Sequence, residues 1–123
     1  MRLILLFTFA FSQLVAAQHT QHETTREAHG RQGDSSAYIA MLENPNRDSY
    51  QKPDEVVAAL ELKEGETIAD IGAGSGYFTF RFSEAVGDQG RVFAVDVNPD
   101  MIRHVDQRIR DLGKTNIVTI LGE

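Results

Sequence analysis

The chain has 123 residues, 41% of them hydrophobic, with a formal net charge of -6, no cysteine and no tryptophan, which is room for one domain. Eighteen acidic against twelve basic side chains, with no Lys/Arg cluster, make a surface that repels phosphate backbones, so the chain carries no nucleic-acid signature. The absence of cysteine rules out a disulfide framework, a thiolate zinc site and a cysteine nucleophile.

Residues 1–17 read as an export signal: Arg2 supplies the charged start, Leu3 to Phe11 an apolar stretch interrupted only by Thr8, and Val15-Ala16-Ala17 places small residues ahead of Gln18. The stretch is shorter than the ~20 residues a spanning helix needs, so no stable membrane span is expected. The expected location is periplasmic or secreted, or cytoplasmic if the signal is not functional. Residues 18–36, rich in Gln, His, Thr, Glu, Gly and Ser, have almost nothing to bury and read as a flexible polar linker. His19, His22 and His29 fall in it without carboxylates or thiols at a metal-site spacing, so no metal is expected.

Residues 37–123 form the domain. Ala37 to Leu42 predicts a short helix behind Ser35 or Ser36 as N-cap, ended by Asn44-Pro45-Asn46. A second helix opens at Pro53, with Asp54 and Glu55 in its first turn and Val56, Val57 and Leu60 as its apolar stripe. Thr67 to Ile71 predicts a strand, and Gly72-Ala73-Gly74-Ser75-Gly76 a loop that neither strand nor helix would tolerate internally. A helix follows, beginning near Ser75, with Tyr77 and Phe78 packing on the sheet from its first turn. Arg91 to Val97 is dense in valine and phenylalanine and predicts a second strand, buried on both faces. Asn98 caps and Pro99 opens a helix whose Met101, Ile102, Val105, Ile109 and Leu112 share a face, Gly113 stops it, and Asn116 to Leu121 is a third strand.

Strand, helix, strand, helix, strand with short connections is the βαβαβ half of a Rossmann-like open parallel α/β sheet, strand order 3-2-1, with helices preceding it. Ligands of such sheets sit beyond the carboxyl ends of the strands, where the glycine loop lies and where Asp96 closes the second strand. A dinucleotide fingerprint would want glycine at position 77, which here is Tyr77. Asp70, just ahead of the loop, would repel a pyrophosphate and attract an ammonium or sulfonium group, so the charge argues for a cationic ligand.

Ile68-Ala69-Asp70-Ile71-Gly72-Ala73-Gly74-Ser75-Gly76-Tyr77-Phe78-Thr79, followed by Gly90-Arg91-Val92-Phe93-Ala94-Val95-Asp96-Val97-Asn98-Pro99-Asp100-Met101, resembles the first two motifs of class I S-adenosyl-L-methionine-dependent methyltransferases. The resemblance implies an incomplete seven-stranded methyltransferase fold and S-adenosylmethionine as cofactor. It further implies Asp70 and the Gly72, Ala73, Gly74, Ser75, Gly76 loop around the methionine moiety, Asp96 accepting from both ribose hydroxyls, Val97 and Asn98 flanking the adenine, and Glu123 near the adenine amino group. A sulfonium methyl is already activated, so the protein chiefly aligns the acceptor and excludes water. Neither the methyl acceptor nor a catalytic residue is named by these motifs, which cover the cofactor-binding half. The first strand is left with an open edge, where self-association or a partner strand is expected. Two rivals stand beside this reading. One is an NAD-binding oxidoreductase using Asp96 on ribose, and the other a non-catalytic module that binds a cofactor or a partner through the open edge.

Overall fold

A computed structural model describes residues 2–5 and 32–123. Its sheet contains Arg2–Leu5 (β1), Thr67–Ile71 (β2), Arg91–Asp96 (β3) and Ile117–Leu121 (β4), in the order β1-β2-β3-β4 with every neighbouring pair parallel. The helices are Gln32–Leu42 (α1), Arg47–Gln51 (α2), Pro53–Ala59 (α3), Thr79–Val86 (α4) and Pro99–Leu112 (α5). The three expected strands hold their 3-2-1 order as β4, β3 and β2, with α4 and α5 as the crossovers.

The rows of the sheet explain where the core sits. Ile68 lies opposite Val92 and Val92 opposite Ile117, and side chains in one such row share a face. All three are buried, and they cluster with Phe82 and Val86 of α4 and Val105 of α5. Both crossovers step the same way across the sheet, which brings their helices to this one face. Each fully buried aromatic or aliphatic side chain here contributes roughly 1.5–3 kcal/mol.

The same geometry corrects the expectation that β3 is buried on both faces. Val92 and Ala94 are fully buried, whereas Phe93 and Val95, on the opposite face, are only half-buried. On the neighbouring strand Val118 and Ile120 are exposed, because α4 and α5 both land on the other side.

The open edge expected on β2 is also corrected. Arg2 to Leu5 pairs along it, in register from Arg2 opposite Ile68 to Leu5 opposite Ile71. Unpaired N–H and C=O groups on a strand edge are a template for any extended segment, and here the chain's own start meets them. These four residues belong to the segment read as an export signal. The rest of that segment, and residues 18–31 of the linker with its three histidines, lie outside the described residues.

At the helix ends the structure departs from expectation in two places. Helix α1 begins at Gln32, ahead of Ala37, so Ser35 and Ser36 lie inside it instead of capping it. The Asn44-Pro45-Asn46 turn is followed by the short α2, which joins α3 through Lys52 in a left-handed conformation with φ 46°. Helix α5 matches its signals: Asn98 Oδ1 accepts from the Asp100 N–H at 2.9 Å, and Gly113 ends the helix at φ 62°.

Candidate functional site

The loop after β2 is built from backbone that only glycine adopts without strain. Gly72, Gly74 and Gly76 have φ of 77°, 56° and 85°, all in the region where a Cβ is unfavourable. A Cβ on Gly76 would also stand 2.7 Å from Phe80 Cε2. This run of left-handed residues cannot continue as helix, so α4 starts at Thr79, later than the expected start near Ser75.

Adjacent strand ends hold the loop in place. The N–H groups of Gly72 and Ala73 donate to the Val95 carbonyl at 2.8 and 3.0 Å. Asp96 ties two loops at once: its Oδ2 accepts from the Gly74 N–H at 2.8 Å, and its Oδ1 from the Asn98 N–H at 2.8 Å. A carboxylate has about four acceptor positions, so each oxygen retains capacity for a further donor.

Asp70 sits deeper, 2% exposed, with its Oδ2 accepting from Thr79 Oγ1 at 2.6 Å. Burial pushes its carboxyl up from 3.8 to about 6, the Thr79 hydroxyl opposes that rise, and the negative Asp96 adds to it. A cation arriving beside Asp70 would relieve both the burial and the repulsion.

Asp70, Gly72, Ala73, Gly74, Ser75, Asp96 and Asn98 line one cavity of about 320 Å³, within the range of small-molecule sites. Gly76, Val97 and Glu123 are not on its lining. Gly76 turns inward against Phe80, Val97 is 71% exposed, and Glu123 is exposed at the end of the chain. The Asn98 side chain is committed to capping α5, so what it offers the cavity is limited by that role.

Tyr38, Leu42, Arg47, Tyr77, Phe78 and Met101 complete the lining. Tyr77 packs against the core cluster as expected but is only half-buried, with the guanidinium of Arg47 4.2 Å and that of Arg81 4.4 Å from its ring centroid. Its hydroxyl donates to Asp48 Oδ1 at 2.5 Å. Desolvation, reinforced by that bond, pushes the phenol up to about 12. Phe78, by contrast, is buried in the core cluster as expected.

Arg47 is 6% exposed, donates from Nη1 to the Leu42 carbonyl, and lines the cavity. It escaped sequence reasoning because Arg47-Asp48-Ser49, ahead of the Tyr50-Gln51-Lys52-Pro53 segment that resembles the family's approach to the cofactor pocket, carries neither a motif nor a periodic pattern. A lone arginine after a turn reads as solvent-exposed. Ser75 Oγ is likewise buried, with no hydrogen-bond partner.

The residues fit S-adenosylmethionine on the cavity's own chemistry. Asp70 is a desolvated carboxylate suited to a cation, Asp96 keeps free acceptor positions for a vicinal diol, and Ser75 offers an unmatched hydroxyl. His104, the histidine of α5, is held by Glu43 Oε1 at 2.7 Å. Among the described residues no group of three His, Cys, Asp or Glu side chains is arranged to hold a metal, and no helix is long and apolar enough to cross a membrane.

The chain is similar to known proteins over the segment that carries this loop. Residues 49–123 match the family described as Protein-L-isoaspartate(D-aspartate) O-methyltransferase. The chain is 31% identical over 68 residues to the protein-L-isoaspartate O-methyltransferase of Ignicoccus hospitalis, covering 55% of this chain and 32% of that protein. It is 38% identical over 64 residues to the corresponding protein of Methanococcus aeolicus, covering 52% of this chain and 30% of the relative. The chain therefore spans about a third of the length of these curated relatives. Among solved structures, a SAM-dependent methyltransferase from Aquifex aeolicus superposes with a TM-score of 0.66 at 32% identity, over 71% of this chain and 46% of the other.

Proposed function

Because this chain belongs to the protein-L-isoaspartate(D-aspartate) O-methyltransferase family, with the fold of class I S-adenosylmethionine-dependent methyltransferases, we propose that it carries the cofactor-binding part of a methyltransferase acting on isoaspartyl carboxylates in proteins. The observation that carries the cofactor half is the pair of carboxylates, Asp70 and Asp96, on adjacent strands around a loop with three left-handed glycines. When bound, the cofactor supplies a methyl group already activated on its sulfonium.

The chain's own residues bind and orient. Asp70 provides the counter-charge for the cationic end. Asp96 accepts from the ribose hydroxyls while its backbone-bonded lone pairs hold the loop rigid. Gly72 and Gly74 let the backbone come close where a side chain would stand off.

A carboxylate acceptor is ionised at neutral pH and has no proton to lose before attack, so alignment and exclusion of water suffice. The relatives matched over residues 49–123 support the same class.

A thermal melt of the chain with S-adenosylhomocysteine, and with NADH as control, tests the cofactor half. The expected result is an upward shift with S-adenosylhomocysteine alone, worth about 2.7 kcal/mol at a hundredfold excess over Kd. A shift with NADH alone would return the oxidoreductase reading. The acceptor is tested by transfer of labelled methyl to an isoaspartyl peptide against its aspartyl counterpart, and equal labelling of the two removes the isoaspartyl assignment.

A further inference from the structure

We propose that Arg47 is the carboxylate anchor of the site, gripping the α-carboxylate of the ligand's amino-acid end while Asp70 faces its ammonium. The assignment rests on the cofactor reading above and goes beyond it by naming a residue outside the glycine-loop and strand-end motifs.

The first support is an unbalanced charge. Arg47 is 6% exposed, yet among the described residues no carboxylate lies within ion-pair distance of its guanidinium; its contacts are the Leu42 carbonyl and the Tyr77 ring. A guanidinium has five N–H donors, and a buried cation without an anion is costly. Natural folds keep such a group where something else supplies the anion.

The second support is the company it keeps. Among the described residues, Arg47 is the one Lys or Arg lining the cavity, whose other charged lining residues are Asp70 and Asp96. Arg47 and Asp70 are not paired with each other; Asp70 is bonded to Thr79 instead, so both charges stay available. A cavity presenting separate positive and negative groups suits a zwitterion, and an α-amino-acid end is one. The buried, unpartnered Ser75 hydroxyl on the same lining is a second donor for that carboxylate. The charges also balance: two carboxylates and one guanidinium leave the site at minus one, against the plus one of a sulfonium amino acid.

The planar fork of arginine matches a carboxylate bidentately, which a lysine cannot do. Tyr77 holds the guanidinium plane from its ring face, so the fork is pre-oriented before a ligand arrives.

The test measures binding to the full chain by calorimetry. S-adenosylhomocysteine carries the amino-acid end, and 5′-methylthioadenosine lacks it. Arg47→Met is expected to weaken S-adenosylhomocysteine by at least about tenfold while 5′-methylthioadenosine changes less than about threefold. Equal losses for both nucleosides overturn the assignment, because Arg47 would then only shape the pocket through Tyr77. If Arg47→Met does not fold, Arg47→Lys and the unaltered chain decide. The unaltered chain should hold S-adenosylmethionine at least about tenfold more tightly than its decarboxylated form, and the lysine variant should narrow that gap. Equal affinity of the unaltered chain for the two forms also overturns it. An unaltered chain that binds 5′-methylthioadenosine but gains nothing from the amino-acid end refutes Arg47 alone. One that binds no nucleoside at all refutes the cofactor reading, and Arg47's role with it.

Discussion

Two buried polar clusters sit at opposite ends of the same sheet, and they are built on opposite terms. At the amino ends of the strands, Ser83 Oγ donates to Asn116 Oδ1 at 2.6 Å, and Asn116 Nδ2 donates to the carbonyls of Ser83 and Gly87 at 3.0 and 2.9 Å. Every group there has a partner, and the cluster pins the end of α4 to the start of β4. At the carboxyl ends, Arg47 lacks an anion, Ser75 Oγ lacks any partner, and Asp70 holds a carboxyl pushed up to about 6. Burial is similar at both ends. What differs is satisfaction, and a cluster left unsatisfied inside a cavity is what a binding site looks like before its ligand arrives.

The largest effect should come from breaking the satisfied end. Asn116→Leu removes three hydrogen bonds worth about 1 kcal/mol each and leaves the Ser83 hydroxyl unpaired at a further cost of about 1–3 kcal/mol, while the Ser83 and Gly87 carbonyls keep the N–H groups of Gly87 and Gly90. Denaturant unfolding should show a loss of several kcal/mol, and any of the variant that folds should bind S-adenosylhomocysteine as the unaltered chain does. A large loss of affinity in folded protein would mean that the two ends are not independent.

At the unsatisfied end, Asp70→Asn should work the other way. A carboxyl raised from 3.8 to about 6 by folding binds its proton more tightly in the folded chain. Its contribution to stability is therefore full below pH 4 and is lost as pH rises through about 6. By 1.4 kcal/mol per unit, that loss is about 3 kcal/mol. Asp70→Asn, which cannot ionise, should abolish this decline, seen as a melting temperature that no longer falls between pH 4 and pH 7. In the unaltered chain the affinity for S-adenosylmethionine should rise about tenfold per pH unit up to about pH 6 and level off above it. A flat profile would place the ligand's cation elsewhere.

Asp96→Ala mixes the two terms. It removes the acceptor proposed for the ribose hydroxyls and also orphans the Gly74 and Asn98 N–H groups that now donate to the carboxylate. Affinity should fall at least about tenfold, with a loss of about 1–3 kcal/mol of stability. Full stability with lost affinity would show that water replaces the carboxylate in bracing the loops.

The smallest change should follow removal of residues 1–17, which takes away β1. Its backbone bonds contribute about 1 kcal/mol each and are largely offset by ordering a four-residue strand. Residues 18–123 should melt within about 1 kcal/mol of the full chain but self-associate in sedimentation, because the edge of β2 is bared. A monomer would show that the edge is protected in another way.

The legible part of the site was the part made of short-range pattern. The glycine loop, Asp70 just ahead of it and Asp96 at the end of the next strand announce themselves within a few residues. Their placement around one cavity follows from the parallel sheet they imply. Less legible were features that depend on what a residue meets. Tyr77 reads as a core aromatic and does pack against the core, but nothing local records the two arginines beside its ring. Helix α4 reads as starting near Ser75 until the three positive φ values delay it. Both faces of β3 read as buried because its valines and phenylalanine look alike from the chain, and only the crossovers reveal which face receives the helices.

From sequence alone came the βαβαβ order, the glycine loop and the two strand-end carboxylates, because periodicity, turn chemistry and capping act between neighbours in the chain. Tertiary structure decided that Arg47 lines the cavity without an anion, that Ser75 is buried unmatched, and that Arg2–Leu5 runs along β2. Those outcomes rest on contacts between segments far apart in the chain, where no local pattern records which partner a side chain or a strand edge will find.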